Sequence, residues 1–257
     1  ITRLSAKFDI IPLFNGKITI SSVQLFGFNI NLNKPAPHME PNFKFVLDAF
    51  ASKDTVKTKK DIDLRINSIL IRRGKLSYDV LSEEETPGKF NPQHIKLHNI
   101  IANISLKALQ NDSINAAIKR LSVDEQSGFE LQKLSLKVIA NNKGMKIENF
   151  AIEMPGTEMK MDTIRMEYDS LKALNHFADN VRFSFRTLPS HVTLNDISAF
   201  VPALSNFKEK LDLNIDVEGT LNQLNCRTLE INAGDKFRLK GDVSLQDLSR
   251  PQDAYVY

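Results

Sequence analysis

The sequence predicts a mainly β protein, a long antiparallel meander that forms a curved (taco-like) or sandwich sheet with two or three short helices. Apolar and polar residues alternate through most of the chain, as in LNIDVEGT (213–220), which is typical of half-buried strands. About fourteen such runs follow one another at short spacing. The connections between them are too short for the crossover helices that join parallel strands.

Composition is ordinary for a folded protein, with 42% hydrophobic and 25% charged residues among 257. The formal charge is +3 and the one basic cluster is VKTKK (56–60), so we expect no nucleic-acid partner. Cys226 is the only cysteine, which excludes an intramolecular disulfide. No run of 18 apolar residues is present to span a membrane.

The chain begins at Ile1 and ends in AYVY (254–257), which resembles the start of a strand. We therefore expect residues 1–257 to be a single elongated β-rich fragment of a larger protein. If this fragment divides into two parts, we expect the boundary near residues 169–191.

The first part of the chain contains three clear strand patterns. FGFNINL (26–32), DIDLRIN (61–67) and GKLSYDV (74–80) each place apolar residues on one face. Arg73 and Gly74 lie between two such patterns and predict the turn of a hairpin.

The middle and last parts continue the same pattern. Residues 95–109 and 113–123 predict a hairpin, and residues 129–168 predict a three-stranded meander with turns at 141–144 and 155–157. Residues 213–248 predict three further strands.

Helical periodicity is limited to three segments. Residues 43–50 and 195–204 place apolar residues at i, i+3, i+4 and i+7, with Asn42 and either Asn195 or Asp196 as candidate N-caps. Residues 170–178 are a weaker case. Short helices with an apolar stripe are suited to covering the end or edge of a sheet.

No enzyme, cofactor or metal signature is present. The sequence lacks the nucleophile-elbow, P-loop and dinucleotide-binding motifs. His94 and His98 have the best metal-like spacing, but on a strand four residues span about 13 Å, so one ion cannot bind both. Glu83, Glu84 and Glu85 form an acidic run that predicts a solvated loop. We therefore expect no catalytic, cofactor or metal-binding residues.

Sixteen Phe, four Tyr and no Trp favour burial over an exposed sugar or nucleic-acid surface. Two interpretations of the apolar stripes remain. They form the sealed core of a sandwich, or they line an open groove that binds lipid. Transferring a sixteen-carbon acyl chain into water costs about 13 kcal/mol, and an apolar groove removes that cost without any catalytic residue.

Residues 192–248 resemble the AsmA-like superfamily, in particular the TamB type of translocation and assembly protein found in Bacteroidetes. The similarity lies in the segment DISAFVPAL, the corner VEGTL and the strand that ends in LQDL. Residues 3–32 and 45–54 resemble the early periplasmic part of the same proteins, and ILIRRGKLSYD (69–79) is similar to a hairpin that recurs in the superfamily.

The resemblance implies a periplasmic protein anchored in the inner membrane by a segment outside this fragment. It implies a hydrophobic groove that carries phospholipid between the inner and outer membranes, with an outer-membrane assembly-class barrel protein as a possible partner. Outer-membrane biogenesis and protein secretion are the processes it indicates. The family has no catalytic residues, so what transfers to this chain is an apolar face.

The alternation assigns that face to three groups of residues. The last sheet segment contributes Leu211, Leu213, Ile215, Val217, Phe237, Leu239, Val243 and Leu245; the middle contributes Leu134, Leu136, Val138, Met159 and Met161; the first contributes Ile62, Leu64, Ile66, Leu76 and Tyr78. Two other functions remain open. One is a docking module for outer-membrane protein assembly, which uses sheet edges; the other is a closed extracellular β-sandwich that binds ligands.

Overall fold

A computed structural model describes residues 1–10, 19–45, 48, 65–110, 113–250, 252 and 254–256. Sixteen strands in these residues belong to one mixed sheet, so the prediction of a mainly β fold is confirmed. The strands are β1 (Arg3–Asp9), β2 (Thr19–Phe26), β3 (Asn29–Lys34), β4 (Arg65–Ile66), β5 (Ser68–Val80), β6 (His94–Gln110), β7 (Ser113–Glu125), β8 (Glu130–Ala140), β9 (Gly144–Glu153), β10 (Glu158–Glu167), β11 (Arg182–Arg186), β12 (Ser190–Thr193), β13 (Lys210–Thr220), β14 (Gln223–Asn232), β15 (Arg238–Gln246) and β16 (Tyr255–Val256).

The strand order follows the chain from β5 to β11 and again from β13 to β16, as a meander requires. The predicted strands of residues 129–168 are β8, β9 and β10, and the turns at 141–144 and 155–157 are confirmed. β6 and β7 are neighbours in the sheet. The turn of this hairpin was expected at 110–112; Gln110 ends β6, and Asn111 and Asp112 lie outside the described residues.

The chain divides into two compact units. Unit 1 contains Ile1–Asn103, Ser122–Glu130 and Ile197–Pro202, and unit 2 contains Ile104–Leu121, Leu131–Asp196 and Ala203–Tyr257.

No described helix is long and apolar enough to cross a membrane.

In unit 1 the expectation of purely antiparallel pairing is wrong. β5 pairs in parallel with both β2 and β3, and β4 pairs in parallel with β2. β2 and β3 lie end to end along β5, and Gly27 at φ +58° separates them. The residues from 35 to 64 provide the long connection that a parallel return needs, and nothing in their local pattern indicates it.

The predicted hairpin turn at Arg73 and Gly74 is also wrong, because β5 is one strand of 13 residues. Arg73 adopts φ 53° within it. The buried ring of Phe28 packs directly on Gly74, where a Cβ would overlap it and would lie 3.2 Å from the Cβ of Ile100. Glycine at 74 therefore allows a close contact within the sheet and does not form a turn.

We expect Gly74→Ala to lower the free energy of unfolding by about 1–3 kcal/mol, because a methyl group there overpacks the Phe28 contact. Chemical denaturation of Gly74→Ala, Phe28→Leu and the double variant measures it. The smaller Leu should recover part of the loss, giving a non-additive cycle. Strictly additive effects would contradict this contact.

The helix predicted at 195–204 is wrong as a continuous helix. Leu194–Ile197 and Pro202–Leu204 are separate 3-10 turns. Pro202 disfavours helical backbone at the residue before it, and Phe200 packs between the rings of Phe90 and Phe129, at centroid distances of 4.7 and 5.0 Å.

Asp196, a candidate N-cap in the sequence, instead accepts a hydrogen bond from the N–H of Gly156 at 3.0 Å. The weaker segment 170–178 is helical, with a 3-10 helix at Leu171–His176 followed by the short α1 (Phe177–Asn180). In the segment 43–50, Lys44, Phe45 and Asp48 are helical, and Val46, Leu47 and Phe50 lie outside the described residues.

The core of unit 2 is small. Val217, Leu224 and Cys226 are buried together, on β13 and β14. Burial raises the pKa of the Cys226 thiol, in keeping with a small apolar residue on the sheet. The side chains packed around this centre are partly buried: Phe183, Phe185, Ile215, Leu229, Val243, Leu245 and Leu248.

Candidate functional site

A continuous row of apolar residues crosses eight strands of unit 2. Directly paired residues in antiparallel strands carry their side chains on the same face. Reading the pairs in order from β8 to β16 gives Ala140, Met145, Met166, Phe183, Gly219, Leu224, Leu245 and Val256. We call the side of the sheet that carries this row the apolar face.

The adjacent row of pairs, on the opposite side of the same strands, is polar except at its first member. It consists of Ile139, Lys146, Arg165, Ser184, Glu218, Asn225 and Ser244. The sheet of unit 2 is therefore amphipathic, with one solvated side, and its strands place the hydrophobic side chains of the segment on the other.

Two shorter rows extend the apolar face along the strands. Leu134 pairs with Ile152, which pairs with Met159. Leu213 pairs with Ile231, which pairs with Leu239. The face is thus eight strands wide, and it extends further along the strands on β8–β10 and on β13–β15.

Bulges keep the face continuous where the simple alternation fails. β9 has an extra residue opposite β8 near Asn149, which adopts φ 55°, and β14 has an extra residue near Arg227. Each bulge shifts the alternation by one position. Met145 and Ile147, at odd-numbered positions before Asn149, therefore share a face with residues at even-numbered positions after it.

Most side chains of the apolar face are only partly buried. Within the eight-strand row, Ala140 and Leu224 are buried at 5% and 9% exposure, whereas Met145, Met166 and Phe183 are intermediate. In a sealed two-sheet core, inward side chains interdigitate with those of the second sheet. All the described strands belong to one sheet, so no second sheet among them covers this face.

Twelve of the residues assigned from the sequence lie on this face of unit 2. They are Leu134, Leu136 and Val138 on β8, Met159 and Met161 on β10, Leu211, Leu213, Ile215 and Val217 on β13, and Leu239, Val243 and Leu245 on β15. Val217 is the most buried of these at 2% exposure, and Leu239 is exposed at 41%.

The other six assigned residues are placed differently. Phe237 precedes β15, in a turn where its carbonyl accepts a hydrogen bond from Ala233, and is 51% exposed. Leu76 and Tyr78 lie on β5 in unit 1, beside Ile30 and Leu32 of β3. Ile66 is part of β4, while Ile62 and Leu64 lie outside the described residues.

The alternation alone missed several residues of the face. Met145, Ile147 and Ile152 on β9 and Leu224 and Leu229 on β14 belong to it through their pairing. At each bulge the apolar residues change from odd-numbered to even-numbered positions or the reverse, so neither strand shows one uninterrupted alternation in the sequence. The signal that the sequence offered was this interruption of the alternation beside Asn149 and Arg227.

A cavity of about 510 Å³ lies where β13, β14 and β15 end. Its lining includes Leu213, Ile231 and Leu239 of the apolar face, and also Asp212, Asn232 and Arg238, which pair with one another on the opposite side. The amide oxygen of Asn232 is buried and has no hydrogen-bond partner among the described residues. Polar and charged residues therefore make up most of the lining of this cavity.

The polar side of β8 and β9 is held by cross-strand ion pairs. The Glu148 carboxylate accepts hydrogen bonds from Lys137 at 2.8 Å and from Lys146 at 2.6 Å. These two ammonium groups, Lys137 first, lower the pKa of Glu148 from 4.5 to about 2. A carboxyl group with a lowered folded-state pKa stabilises the fold above its unfolded pKa. That contribution is lost as the pH falls from about 4.5 towards 2.

We expect Lys137→Met to raise the pKa of Glu148 towards 4.5, because the variant removes the ammonium group that lowers this pKa most. Titration of the Glu148 carboxyl carbon by NMR measures this shift. Lys133→Met is the matched control, since Lys133 pairs with Glu153 on the same two strands and should leave Glu148 unchanged. An unchanged Glu148 pKa in Lys137→Met would contradict the assignment.

Within the described residues, one histidine lies beside two carboxylates. Asp79, Glu85 and His94 offer ligand atoms that all lie within 4.8 Å of one another. His98, the other member of the sequence pair, instead faces Asp124 with Nε2 3.8 Å from its carboxylate.

Comparison of the chain with protein-family models, with curated proteins and with solved structures found no match.

Proposed function

We propose that the apolar face of unit 2 binds the acyl chains of phospholipid, and that the protein conducts lipid without catalysing a reaction. The observation that carries this proposal is the apolar row through eight paired strands, whose side chains are mostly half-buried. An apolar surface of this extent, which no second sheet covers among the described strands, is characteristic of a binding surface.

The dimensions and energies of the row suit a lipid. Seven steps between neighbouring strands, at about 4.8 Å each, give a row of about 34 Å measured along the sheet. The hydrocarbon core of a bilayer is about 30 Å thick, so the row exceeds the length of one acyl chain. Because each exposed CH₂ costs about 0.8 kcal/mol, contact along such a surface offsets most of the cost of leaving the membrane.

Flexible side chains support the same assignment. Met145, Met159, Met161 and Met166 all lie on β9 and β10. Methionine has three rotatable bonds and a polarisable sulfur, so it adapts to ligands of irregular or variable shape. A surface that accepts acyl chains of different length and unsaturation benefits from this property.

The resemblance in the sequence gives the proposal its biological setting. We propose that the chain is a segment of an AsmA-like protein of the TamB type. The full-length protein is then a periplasmic protein anchored in the inner membrane. In that setting phospholipid is the cargo, and an outer-membrane barrel of the assembly class is the partner at the far end.

A binding assay with an acyl-labelled fluorescent phospholipid tests the proposal. Lipid bound on the apolar face should show the blue-shifted emission of a probe in an apolar environment, and unlabelled phospholipid should displace it. A lipid with the same acyl chains and no phosphate reports whether the headgroup contributes. An emission spectrum that the protein leaves unchanged would contradict lipid binding.

A second candidate function is docking in outer-membrane protein assembly, and the open edge of β15 favours it. β16 pairs with β15 only at Leu245 and Gln246. The part of β15 from Arg238 to Ser244 has β14 on one side and no other described strand on the other. Such an edge accepts an added strand from a client. Amide hydrogen exchange of β15 with and without a client peptide distinguishes docking, which protects that edge, from lipid binding, which does not.

The closed extracellular sandwich is the least favoured candidate. It requires two sheets packed face to face, and the described strands form one sheet.

A further inference from the structure

A buried histidine at the start of β6 is held between a backbone carbonyl and a carboxylate. His94 is 4% exposed. Its Nε2 lies 3.0 Å from the carbonyl oxygen of Glu83, and its Nδ1 lies 3.1 Å from Oδ1 of Asp79. The Glu85 carboxylate completes a group whose ligand atoms lie within 4.8 Å of one another.

Both ring nitrogens of His94 face hydrogen-bond acceptors. The Glu83 carbonyl oxygen only accepts hydrogen bonds, so the tautomer with a proton on Nε2 satisfies it. A neutral ring then directs the Nδ1 lone pair at the Asp79 carboxylate, which is also an acceptor. Two acceptors 3.1 Å apart repel unless a proton or a metal ion lies between them.

A ring nitrogen held by a backbone carbonyl, as at His94, is also found at metal-binding histidines. Such a histidine donates its second ring N–H to a backbone carbonyl or carboxylate, which sets the tautomer and directs the other nitrogen at the ion. Ligand atoms bound to tetrahedral zinc at about 2.0–2.1 Å lie about 3.3–3.4 Å apart. The separation of 3.1 Å between His94 and Asp79 is close to that value.

The site is built into the fold on both sides. The Asn91 amide donates to the Glu84 carbonyl at 3.1 Å, and its oxygen accepts from the N–H of Gln93 at 2.9 Å. Gln126 on the adjoining segment donates to the His94 carbonyl at 2.8 Å. The Asn91 bond ties the loop beside Glu85 to the segment that leads into β6, and the Gln126 bond fixes the His94 backbone.

We propose that Asp79, Glu85 and His94 bind a zinc ion, with water as the fourth ligand. Two carboxylate oxygens and one imidazole nitrogen are ligands that Zn²⁺ accepts. The side chain of Glu85 is 54% exposed, so it is free to close the remaining distance. The site lies in unit 1 and uses none of the residues of the apolar face, so it goes beyond the proposed lipid binding.

Lys96 competes with the ion. Its Nζ lies 2.9 Å from Oε1 of Glu85, and this ammonium group must give up that partner when Glu85 coordinates a metal. Lys96→Met therefore frees a ligand and removes a repelling charge. We expect this variant to bind zinc more tightly than the wild-type chain does.

Isothermal titration of the chelator-treated chain with zinc chloride tests the site, with magnesium chloride as the comparison ion. The expected result is one zinc per chain, with affinity strengthened in Lys96→Met and weakened in Glu85→Gln by at least the roughly 10–100-fold that the loss of an outer-shell partner costs. Glu84→Gln is the matched control, because Glu84 is the exposed neighbour outside the cluster and should bind as the wild type does. Both glutamine variants change exposed loop residues and leave His94 and Asp79 in place, so folding does not confound them.

Two results would overturn the proposal. One is the absence of stoichiometric zinc binding to the wild-type chain. The other is equal zinc affinity in Glu85→Gln and Glu84→Gln, which places any bound ion elsewhere. Neither result bears on lipid binding in unit 2.

Discussion

Replacing Val138 with Asp is expected to lower phospholipid affinity by at least about tenfold, or about 1.4 kcal/mol. Val138 is half-buried on the apolar face and pairs with Ile147. A carboxylate there must lose its hydration whenever an acyl chain covers it, and such a loss is costly without a partner. The fluorescent phospholipid titration measures the change.

The neighbouring residue provides the matched control. Ile139 lies on the opposite face, pairs with Lys146 and is 39% exposed. Ile139→Asp adds the same charge one residue away and should leave the affinity unchanged. Leu239→Asp, at a position 41% exposed on the apolar face, repeats the test where folding is least affected. Equal affinities in Val138→Asp and Ile139→Asp would show that lipid does not bind this face.

Gly219→Ala is expected to lower the free energy of unfolding by about 3 kcal/mol or more, the largest stability effect we predict. Gly219 adopts φ +136°, a conformation that residues with a Cβ rarely tolerate. A Cβ there would overlap the Gln223 carbonyl oxygen and lie 3.1 Å from the Cα of Leu224. These are backbone atoms of β14, so they cannot move without breaking the pairing of β13 with β14.

Gly241→Ala is the control for that prediction. Gly241 lies on β15 in the same sheet and has no positive φ, and a methyl group added to it would have no neighbouring atom within 4 Å among the described residues. Alanine there restricts the unfolded chain without a clash, so we expect a destabilisation of about 0.5 kcal/mol or less, or a slight gain in stability. Urea denaturation of both variants measures the difference. Comparable stabilities would contradict the backbone conformation at Gly219.

The sequence predicted the strands best where the alternation is uninterrupted. β13 and β15 keep a single parity, so Leu213, Ile215 and Leu239 were placed on one face from spacing alone. In β9 and β14 the bulges at Asn149 and Arg227 change the parity. A bulge depends on the partner strand as much as on local residues, so the pattern of one strand cannot locate it.

Features that depend on distant segments were not predictable from local pattern. The parallel pairing of β5 with β2 and β3 joins segments separated by a long connection. Gly74 is a residue type typical of turns, but its role in the fold is to make room for the Phe28 ring packed against it. The helix expected at 195–204 is wrong for one distant reason and one local one: Asp196 bonds to Gly156, and Pro202, which the sequence shows, disfavours helix at the residue before it.

The group of Asp79, Glu85 and His94 shows the same limit at a candidate site. Sequence spacing directed attention to His94 and His98, which are separated along one strand and face different carboxylates. The fold instead pairs His94 with the end of β5 and with the loop that follows it. Side chains gathered by strand pairing leave no periodic signal.

Native mass spectrometry of the purified chain, followed by organic extraction and lipid identification, tests the central claim most directly. Lipid binding by the apolar face predicts phospholipid retained by the wild-type chain and by Ile139→Asp, and lost from folded Val138→Asp. A folded, monodisperse wild-type chain that retains no lipid, and takes up none when mixed with phospholipid vesicles, would contradict it.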